Sequence, residues 1–193
     1  METIVICGEI EMFLEAIRVP KDRIKVVIGK DGEVKKKIEE MGEVKLTIDT
    51  AEAEVSIDQL GDAVKSSIAK NVVQAIGRGF NPGKAMLLFE ENMQLVIISL
   101  REFAKPGSSK ITQIKARVIG TGGKTRAIIE ELTGSYLSVY GDTISIIGDY
   151  LAVTYAEEAI NMIINGKKHR TVYAFLEKRA RELKYKRIEE SFG

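Results

Sequence analysis

The 193-residue sequence is short of the residues that metal and thiol chemistry requires. It has one cysteine, Cys7, one histidine, His169, and no tryptophan. A single cysteine excludes an intrachain disulfide and fits a reducing compartment. One cysteine and one histidine cannot build a zinc site of the usual Cys/His type, and nothing local brings the two together for nucleophilic catalysis. We therefore expect no metal, no cofactor and no small-molecule substrate.

Long apolar runs are also missing from the sequence. No segment reaches the roughly 18 uninterrupted apolar residues of a membrane span. Residues 1–9 lack a basic stretch and quickly become acidic, unlike a signal peptide. We expect a cytoplasmic protein with no membrane partner.

Neither sign of charge dominates, because 29 Lys+Arg oppose 28 Asp+Glu and the formal net charge is +1. Hydrophobic residues at 45% and charged residues at 30% are typical of a globular chain with a real core in one or two domains. Near-neutrality does not exclude a nucleic-acid partner, since net charge does not say where the charges lie. Nine basic and two acidic residues stand between Gly166 and Arg187.

The sequence contains an internal repeat. Val27–Gly32 (VIGKDG) recurs 91 residues later as Val118–Gly123 (VIGTGG), and the match continues from IEEM at 38–41 to IEEL at 129–132. An offset of this size predicts a duplicated domain and not a solenoid. Neighbours on a helix point about 100° apart, so we interpret the paired glutamates of each copy as helix-surface charge.

Each copy predicts the element order β-α-α-β-β-α. In the first copy the predicted ranges are 13–19, 22–28, 33–41 (ended by Gly42), 44–48, 53–57 and a long helix capped by Asp62. In the second they are 95–100, 109–118 (capped by Ser109), 124–132, 136–140, 143–147 and a helix from the cap Asp149 to about 165. Asn81 caps a predicted short helix over 82–91, and a last helix covers 171–187.

These elements predict an α+β fold made of two similar domains. Each domain is expected to pack three helices on a three-stranded antiparallel sheet. The expected boundaries are 1–80 for the first domain, 81–92 for a short helical junction, and 93–193 for the second domain with a basic C-terminal helix.

A Gly-x-x-Gly loop between two helices is suited to binding phosphate. Its glycines allow a tight turn and a close approach, and the next helix offers unpaired N–H groups at the positive end of its dipole. The first loop carries Asp31 where a phosphate would lie, so we expect a weaker site there. The candidate residues are Gly120, Thr121, Gly122, Gly123, Lys124, Arg126, Lys115 and Arg117 in the second copy, and Gly29, Lys30, Asp31, Gly32, Lys35 and Lys36 in the first.

Three interpretations of the loops compete. A plain helix–turn–helix with a capping glycine does not account for two copies in the same context. A nucleotide-binding P-loop fails, because Val118 stands where its motif needs glycine and a helix replaces the preceding strand. The third interpretation is a resemblance: Val-Ile-Gly-x-x-Gly within this element order resembles the type I K-homology (KH) domain, whose loop clamps the backbone of four nucleotides.

The sequence departs from the usual KH pattern at one position. Lys35 and Arg126 stand where KH helices usually carry an aliphatic residue, three residues after the second glycine. A charged side chain there either extends into solvent or faces the ligand.

One KH family matches more of the chain. Two KH modules, a helical junction, the run from Gly120 to Arg126 followed by Ile129 and Glu130, and a basic tail resemble the archaeal KH ribosome-assembly factors known as the partner of Nob, or Dim-type factors. The resemblance implies a protein without catalytic residues that binds single-stranded precursor rRNA near the small-subunit 3′ end. It also implies a partner, the Nob-type endonuclease, which makes the final cut.

The basic tail adds candidate RNA contacts, with a solvated helix face as the alternative. Its candidate residues are Lys167, Lys168, Arg170, Lys178, Arg179 and Arg181. Three other functions stay open: a KH-fold protein–protein scaffold with little RNA binding, a KH subunit of another RNA-processing complex, and a phosphate-binding enzyme.

Overall fold

The computed structural model describes residues 15–192, with the side chains of residues 16–182 and 184. Contacts divide the chain into two compact units, with the division after Gly77. Each unit combines helices with one three-stranded antiparallel sheet, so the predicted α+β class is confirmed.

The first unit has its strands in the order β1-β3-β2. In β3, Val55 and Ile57 are buried and alternate with more exposed neighbours, which turns one face of the sheet towards the helices. Phe13 and Leu14, the predicted start of the first strand, lie outside the described residues. The elements are β1 (Glu15–Arg18), α1 (Lys21–Ile28), a 3₁₀ turn (Lys30–Gly32), α2 (Glu33–Gly42), β2 (Val44–Asp49), β3 (Glu54–Gln59) and α3 (Ala63–Gly77).

The predicted stop of α2 at Gly42 is wrong by one residue. Gly42 is the last helical residue, and Glu43 takes the left-handed cap with φ 51°. Glu43 is held there because its carbonyl accepts the backbone N–H groups of Leu60 and Gly61, and its carboxylate accepts that of Asp62. Glycine is needed at 42 for packing instead, since a Cβ there would come within 2.5 Å of the Ala69 Cβ.

The second unit repeats this arrangement with the strand order β4-β6-β5. Its core contains Ile114, Val118, Ile129, Leu137 and Ile160. The elements are α4 (Pro82–Ala85), 3₁₀ turns (Met86–Phe89, Leu100–Glu102 and Thr121–Gly123), β4 (Met93–Ser99), α5 (Ser109–Ile119), α6 (Lys124–Thr133), β5 (Tyr136–Tyr140), β6 (Thr143–Asp149), α7 (Tyr150–Ile164) and α8 (His169–Phe192).

The short helix after the first unit is capped by Asn81, whose side chain accepts the Lys84 N–H at 2.8 Å. It is shorter than predicted, because the α-helix ends at Ala85 and a 3₁₀ turn follows to Phe89. The segment packs on β5: the Ser138 hydroxyl donates to the Arg78 carbonyl at 2.9 Å, and the Lys84 ammonium lies 4.5 Å from the centre of the Tyr136 ring.

Two further caps decide where helices begin in the second unit. Ser108, and not the predicted Ser109, caps α5, because the Ser108 hydroxyl accepts the Ile111 N–H. Asp149 caps α7 as predicted, through the Ala152 N–H at 2.8 Å.

Within residues 15–192 no helix is long and apolar enough to cross a membrane. Nor do three His, Cys, Asp or Glu side chains in that range gather in a way that could hold a metal.

Candidate nucleic-acid interface

The first glycine of each loop is required by packing. Gly29 and Gly120 have φ values of 75° and 74° with ψ values of 180° and 171°, a conformation open essentially to glycine alone. A Cβ on Gly29 would lie 2.8 Å from the backbone nitrogen of Val34, and one on Gly120 equally close to that of Thr125. These glycines let the loop fold back onto the first turn of the following helix.

The last two positions of each loop face open space. Asp31 and Gly122 have nearly the same left-handed conformation, with φ/ψ of 52°/24° and 59°/22°. Gly32 and Gly123 follow, also left-handed, with φ of 77° and 80°. A Cβ on Gly32, Gly122 or Gly123 would meet nothing within 4 Å. The outer side of each loop is therefore accessible to another chain, next to the first turn of α2 or α6.

Several of the predicted cations surround the loops and are exposed. Lys124 opens α6 directly after the second loop, while Lys30 lies in the first loop and Lys36 follows it. The first loop also exposes the carboxylate of Asp31, at the position where the second loop has Gly122. The first loop thus combines opposite charges, whereas the second has no acidic residue between Gly120 and Arg126.

Arg126 and Lys35 lie on the surface and pair with a glutamate one turn further along their helix. The Arg126 Nε donates to Glu130 Oε1 at 3.2 Å, and the Lys35 Nζ lies 3.8 Å from Glu39 Oε1. The same oxygens accept backbone N–H groups from the neighbouring strand: Leu137 at 2.7 Å and Leu46 at 2.8 Å.

Glu39 and Glu130 are therefore more than the helix-surface charge that the sequence predicts. Each ties the helix after the loop to a strand of its sheet. Sequence reasoning missed these two residues, although the identical Ile-Glu spacing in the two copies was a signal that could have identified them.

The cations before the second loop are engaged within the protein. The Arg117 guanidinium donates to the carbonyls of Ile163, at 2.7 Å, and Lys167. The Lys115 ammonium donates to the Gly141 carbonyl, in the turn between β5 and β6, at 3.1 Å. Arg117 thus stabilises the end of α7, where cations are favoured by the exposed carbonyls.

The first turn of α8 lies beside the second loop. The His169 Nε2 donates to the Arg117 carbonyl at 2.9 Å. The Tyr173 and Thr125 hydroxyls share a hydrogen bond of 2.9 Å, with Thr125 buried. Thr125 was not a candidate from the sequence, since a contact across 48 residues leaves no local pattern. Lys167 and Lys168, just before α8, and Arg170, in its first turn, are all exposed.

Arg179, another predicted RNA contact, packs α8 against α7. Its guanidinium carbon lies 5.1 Å from the Tyr155 ring centre and 5.3 Å from that of Phe175, within the range of cation–π attraction. It also donates to Glu182 at 2.7 Å, and this hydrogen bond raises the Arg179 pKa. Lys178 and Arg181 on the same helix are exposed.

Comparison with known proteins gives a consistent result. The family model for the second KH domain of PNO1-type proteins, a eukaryotic-type KH domain (KH-domain type I), matches residues 94–181. The KH domain-containing protein MJ0443 of Methanocaldococcus jannaschii is 41% identical over 194 residues, which cover 98% of this chain and 85% of that protein.

Solved structures agree with the sequence match. The crystal structure of Dim2p from Pyrococcus horikoshii has a TM-score of 0.80 and 39% identity, covering 86% of this chain and 99% of the other. The aDim2p of the a/eIF2alpha-aDim2p-rRNA complex from the same organism has a TM-score of 0.81 and 39% identity, covering 88% and 95%. A protein of unknown function from Aeropyrum pernix, APE0754, has a TM-score of 0.87 and 35% identity, covering 93% and 96%. With these matches along nearly the whole chain, the protein belongs to the archaeal Dim2-type, or partner-of-Nob, family of KH-domain proteins.

Proposed function

We propose that this chain is a tandem KH protein that binds single-stranded RNA during small-subunit ribosome assembly. In this proposal it binds precursor rRNA near the 3′ end and assists the final cut by a separate Nob-type nuclease. The observation that carries RNA binding is the second loop, whose outer side is open at Gly122 and Gly123 and whose neighbours are basic. The similar aDim2p, solved in a complex with rRNA, supports rRNA as the class of ligand.

The second loop binds RNA through its backbone. A phosphate group approaches the open side of Thr121, Gly122 and Gly123, because no Cβ stands at the last two positions. The positive end of the α6 dipole attracts it, while the N–H groups of Gly123 and Lys124 are already bonded to the carbonyls of Gly120 and Thr121. The exposed Lys124 adds a charge at the same place.

Three basic residues at the start of α8 and just before it extend this surface. Lys167, Lys168 and Arg170 are exposed, and α8 is fixed beside the loop by the bonds of His169 and Tyr173. In our proposal these three cations bind phosphates that adjoin the one held by the loop.

The first unit contributes less to RNA binding and more to protein contacts. Asp31 repels a phosphate at the open position of the first loop. Leu60 and Val64 of this unit expose 72% and 68% of their surface, and in our proposal they are contacts for a protein partner. A Nob-type nuclease would then contact the first unit while the second holds RNA.

The second loop can be tested by giving it the residue that the first loop carries. Gly122→Asp is tolerated by the fold, because Asp31 already has the same left-handed conformation at the equivalent position. The new carboxylate would face the phosphate, so we expect the affinity for a single-stranded RNA to fall about tenfold or more. Fluorescence anisotropy with a labelled oligonucleotide of the small-subunit rRNA 3′ end measures the change.

Gly107→Asp is the matched control. Gly107 is also left-handed, with φ 73° and open space around a Cβ, and the 11-residue helix α5, about 16 Å long, separates it from the loop. This variant carries the same added charge and should bind RNA like the unmodified protein. Equal affinities for the Gly122→Asp and Gly107→Asp proteins would refute the role of the loop.

A further inference from the structure

In the second unit, α8 covers a pair of helices. It lies across α6 and α7. Its Tyr173 shares a hydrogen bond with the buried Thr125 at the start of α6. Its Arg179 lies over the ring of Tyr155 on α7, and Leu176 is fully buried in the same core. The apolar positions of this helix pair are therefore shielded from water by a third helix.

The corresponding helices of the first unit are α2 and α3. Helix α2 corresponds to α6 at the 91-residue offset of the repeat, and α3 corresponds to α7 because Asp62 and Asp149 cap the two helices. Helix α1 packs on α2 and α3 as α5 packs on α6 and α7. Within residues 15–192, however, no helix takes the place of α8 in the first unit.

The side chains that α2 presents at the corresponding positions are apolar and accessible. Met41 is 39% exposed, whereas its counterpart Leu132 packs against the core of the second unit. Val34 is half-buried, whereas its counterpart Thr125 is buried. Val34 and Met41 are seven residues apart and therefore lie on one side of the helix.

Helix α3 presents a second apolar row. Ile68 and Tyr155 both come six residues after the capping aspartate, but Ile68 is half-buried and Tyr155 is buried. Val64 lies one turn before Ile68 on the same side of α3, and it is among the most exposed apolar residues of the described chain. A helix buries its apolar stripe against another element, so this row lacks the cover that the second unit has.

Glu43 holds the end of α2 against the start of α3. Its carbonyl accepts the N–H groups of Leu60 and Gly61, while its carboxylate accepts the Asp62 N–H and the Lys65 ammonium. The exposed Leu60 is thereby fixed next to the ends of both helices. The two apolar rows thus belong to one face, which we call the α2–α3 face.

A lysine borders the apolar row of α2. Lys37 is exposed, three residues after Val34 and four before Met41, so it lies on the same side of the helix. Its counterpart in the second unit is the half-buried Ile128. A helix that covers the first unit therefore meets a cation where the second unit has an apolar side chain, and an acidic residue at its edge would complement this charge.

We propose that the α2–α3 face binds an amphipathic helix of a protein partner, which lies across it as α8 lies across α6 and α7. The apolar residues of that helix, spaced at i, i+3 or i+4, and i+7, cover Met41, Val64 and Ile68. Acidic residues beside this apolar row face Lys37. The inference rests on the protein contacts proposed for the first unit and states which kind of segment they accept.

Two synthetic helical peptides are the probes that test this proposal. Each has about 18 residues, or five turns, with the same leucine row at i, i+4, i+7 and i+11. One peptide carries glutamate on both sides of the row and the other carries lysine. Each is labelled and titrated with the full chain by fluorescence anisotropy. We expect the glutamate peptide to bind about fivefold more tightly or better. Equal binding of the two peptides, or binding of neither, would overturn the inference.

A double variant removes the apolar contacts. Met41→Gln combined with Val64→Gln changes two exposed positions and should weaken binding of the glutamate peptide about tenfold or more. Tyr150→Gln is the matched control, because Tyr150 is an apolar residue 64% exposed at the start of α7 in the second unit. It should bind the peptide like the unmodified protein. An effect of Tyr150→Gln as large as that of the double variant would contradict the assigned face.

A charge reversal tests the acidic edge of the partner helix. Lys37→Glu should bind the lysine peptide more tightly than the glutamate peptide, reversing the order of the unmodified protein. Lys36→Glu carries the same change on a neighbouring residue that points about 100° away, so it should keep the original order. An unreversed order in Lys37→Glu excludes the acidic edge and overturns the inference.

Binding of the rRNA oligonucleotide by the same proteins separates this inference from the proposed function. If the unmodified protein binds RNA but neither peptide, the inference fails and RNA binding stands. If it binds the glutamate peptide but no RNA, the proposed RNA function fails and the α2–α3 face stands. The double variant of Met41 and Val64 should bind RNA with unchanged affinity. If it loses RNA and peptide equally, its fold is damaged, and the order of peptides in Lys37→Glu then decides.

Discussion

At the scale of single residues, the two glycines of each loop serve different purposes. Gly120 lies against Thr125 and allows the loop to contact its own helix, whereas a Cβ added to Gly123 would have no neighbour within 4 Å. The first glycine thus contributes to folding and the second to binding. In the first loop, a Cβ on Gly29 would likewise clash with Val34, whereas one on Gly32 would have no neighbour within 4 Å.

This division predicts different costs for two alanine substitutions. Gly120→Ala combines a clash with a conformation restricted to glycine, so we expect the free energy of unfolding of the second unit to fall by about 3 kcal/mol. Gly123→Ala meets open space and has only the cost of a left-handed backbone, about 1 kcal/mol. Urea denaturation of the two variants measures both values. Equal destabilisation would contradict the packing role of Gly120.

Local sequence pattern accounts for the loop itself but not for the partners of its flanking cations. The repeated Val-Ile-Gly-x-x-Gly placed both loops correctly between two helices, because glycine and helix-cap signals act over a few residues. The contacts of Arg117 and Arg179 depend on where distant helices meet, so a list of basic residues could not distinguish these engaged side chains from the exposed Lys124.

At the scale of elements, α8 completes the second unit. Val172 and Leu176 are fully buried in its core, and the helix contacts both α6 and α7. The sequence predicted a helix over 171–187, shorter than the observed His169–Phe192. Two other helix ends also differ by one residue from their predicted positions. The cap of α2 is Glu43, held by its contacts, and the cap of α5 is Ser108, the serine next to the predicted one.

Removal of a single buried side chain tests the structural role of α8. Leu176→Ala leaves a cavity in the core of the second unit, so we expect its free energy of unfolding to fall by about 2–5 kcal/mol. Lys178→Ala, an exposed position on the same helix, should change it by less than about 0.5 kcal/mol. Urea denaturation followed by circular dichroism compares the two. A stability loss no larger for Leu176→Ala than for Lys178→Ala would show that α8 is dispensable for this fold.

At the scale of the whole molecule, the first unit holds three carboxylates whose pKa values are lowered, those of Glu43, Asp49 and Asp62. A hydrogen bond from Lys65 lowers the pKa of Glu43, and backbone N–H groups lower the pKa values of Asp49 and Asp62. A carboxylate whose pKa is lowered by folding stabilises the folded state fully at pH values above its pKa in the unfolded chain, about 4. This stabilisation is lost as the pH falls through the pKa of the same group in the folded protein.

The first unit should therefore be the more acid-sensitive one. Between about pH 5 and pH 2 we expect its hydrogen-exchange protection to decrease before that of the second unit. In Asp62→Asn the amide still caps α3 but no longer titrates over this range, so the decrease in the first unit should be smaller. Exchange measured by mass spectrometry resolves the two units. Earlier loss of protection in the second unit would contradict the assignment.

The carboxylates at the sheet edges also affect how copies of the protein behave at high concentration. β2 and β5 are edge strands, and an unpaired edge offers N–H groups on which a foreign strand can add. Glu39 and Glu130 already occupy the N–H groups of Leu46 and Leu137. An incoming strand must first displace a charge-assisted hydrogen bond and bring its own carbonyl towards a carboxylate. The glutamate in each unit thereby protects this edge of its sheet against edge-to-edge aggregation.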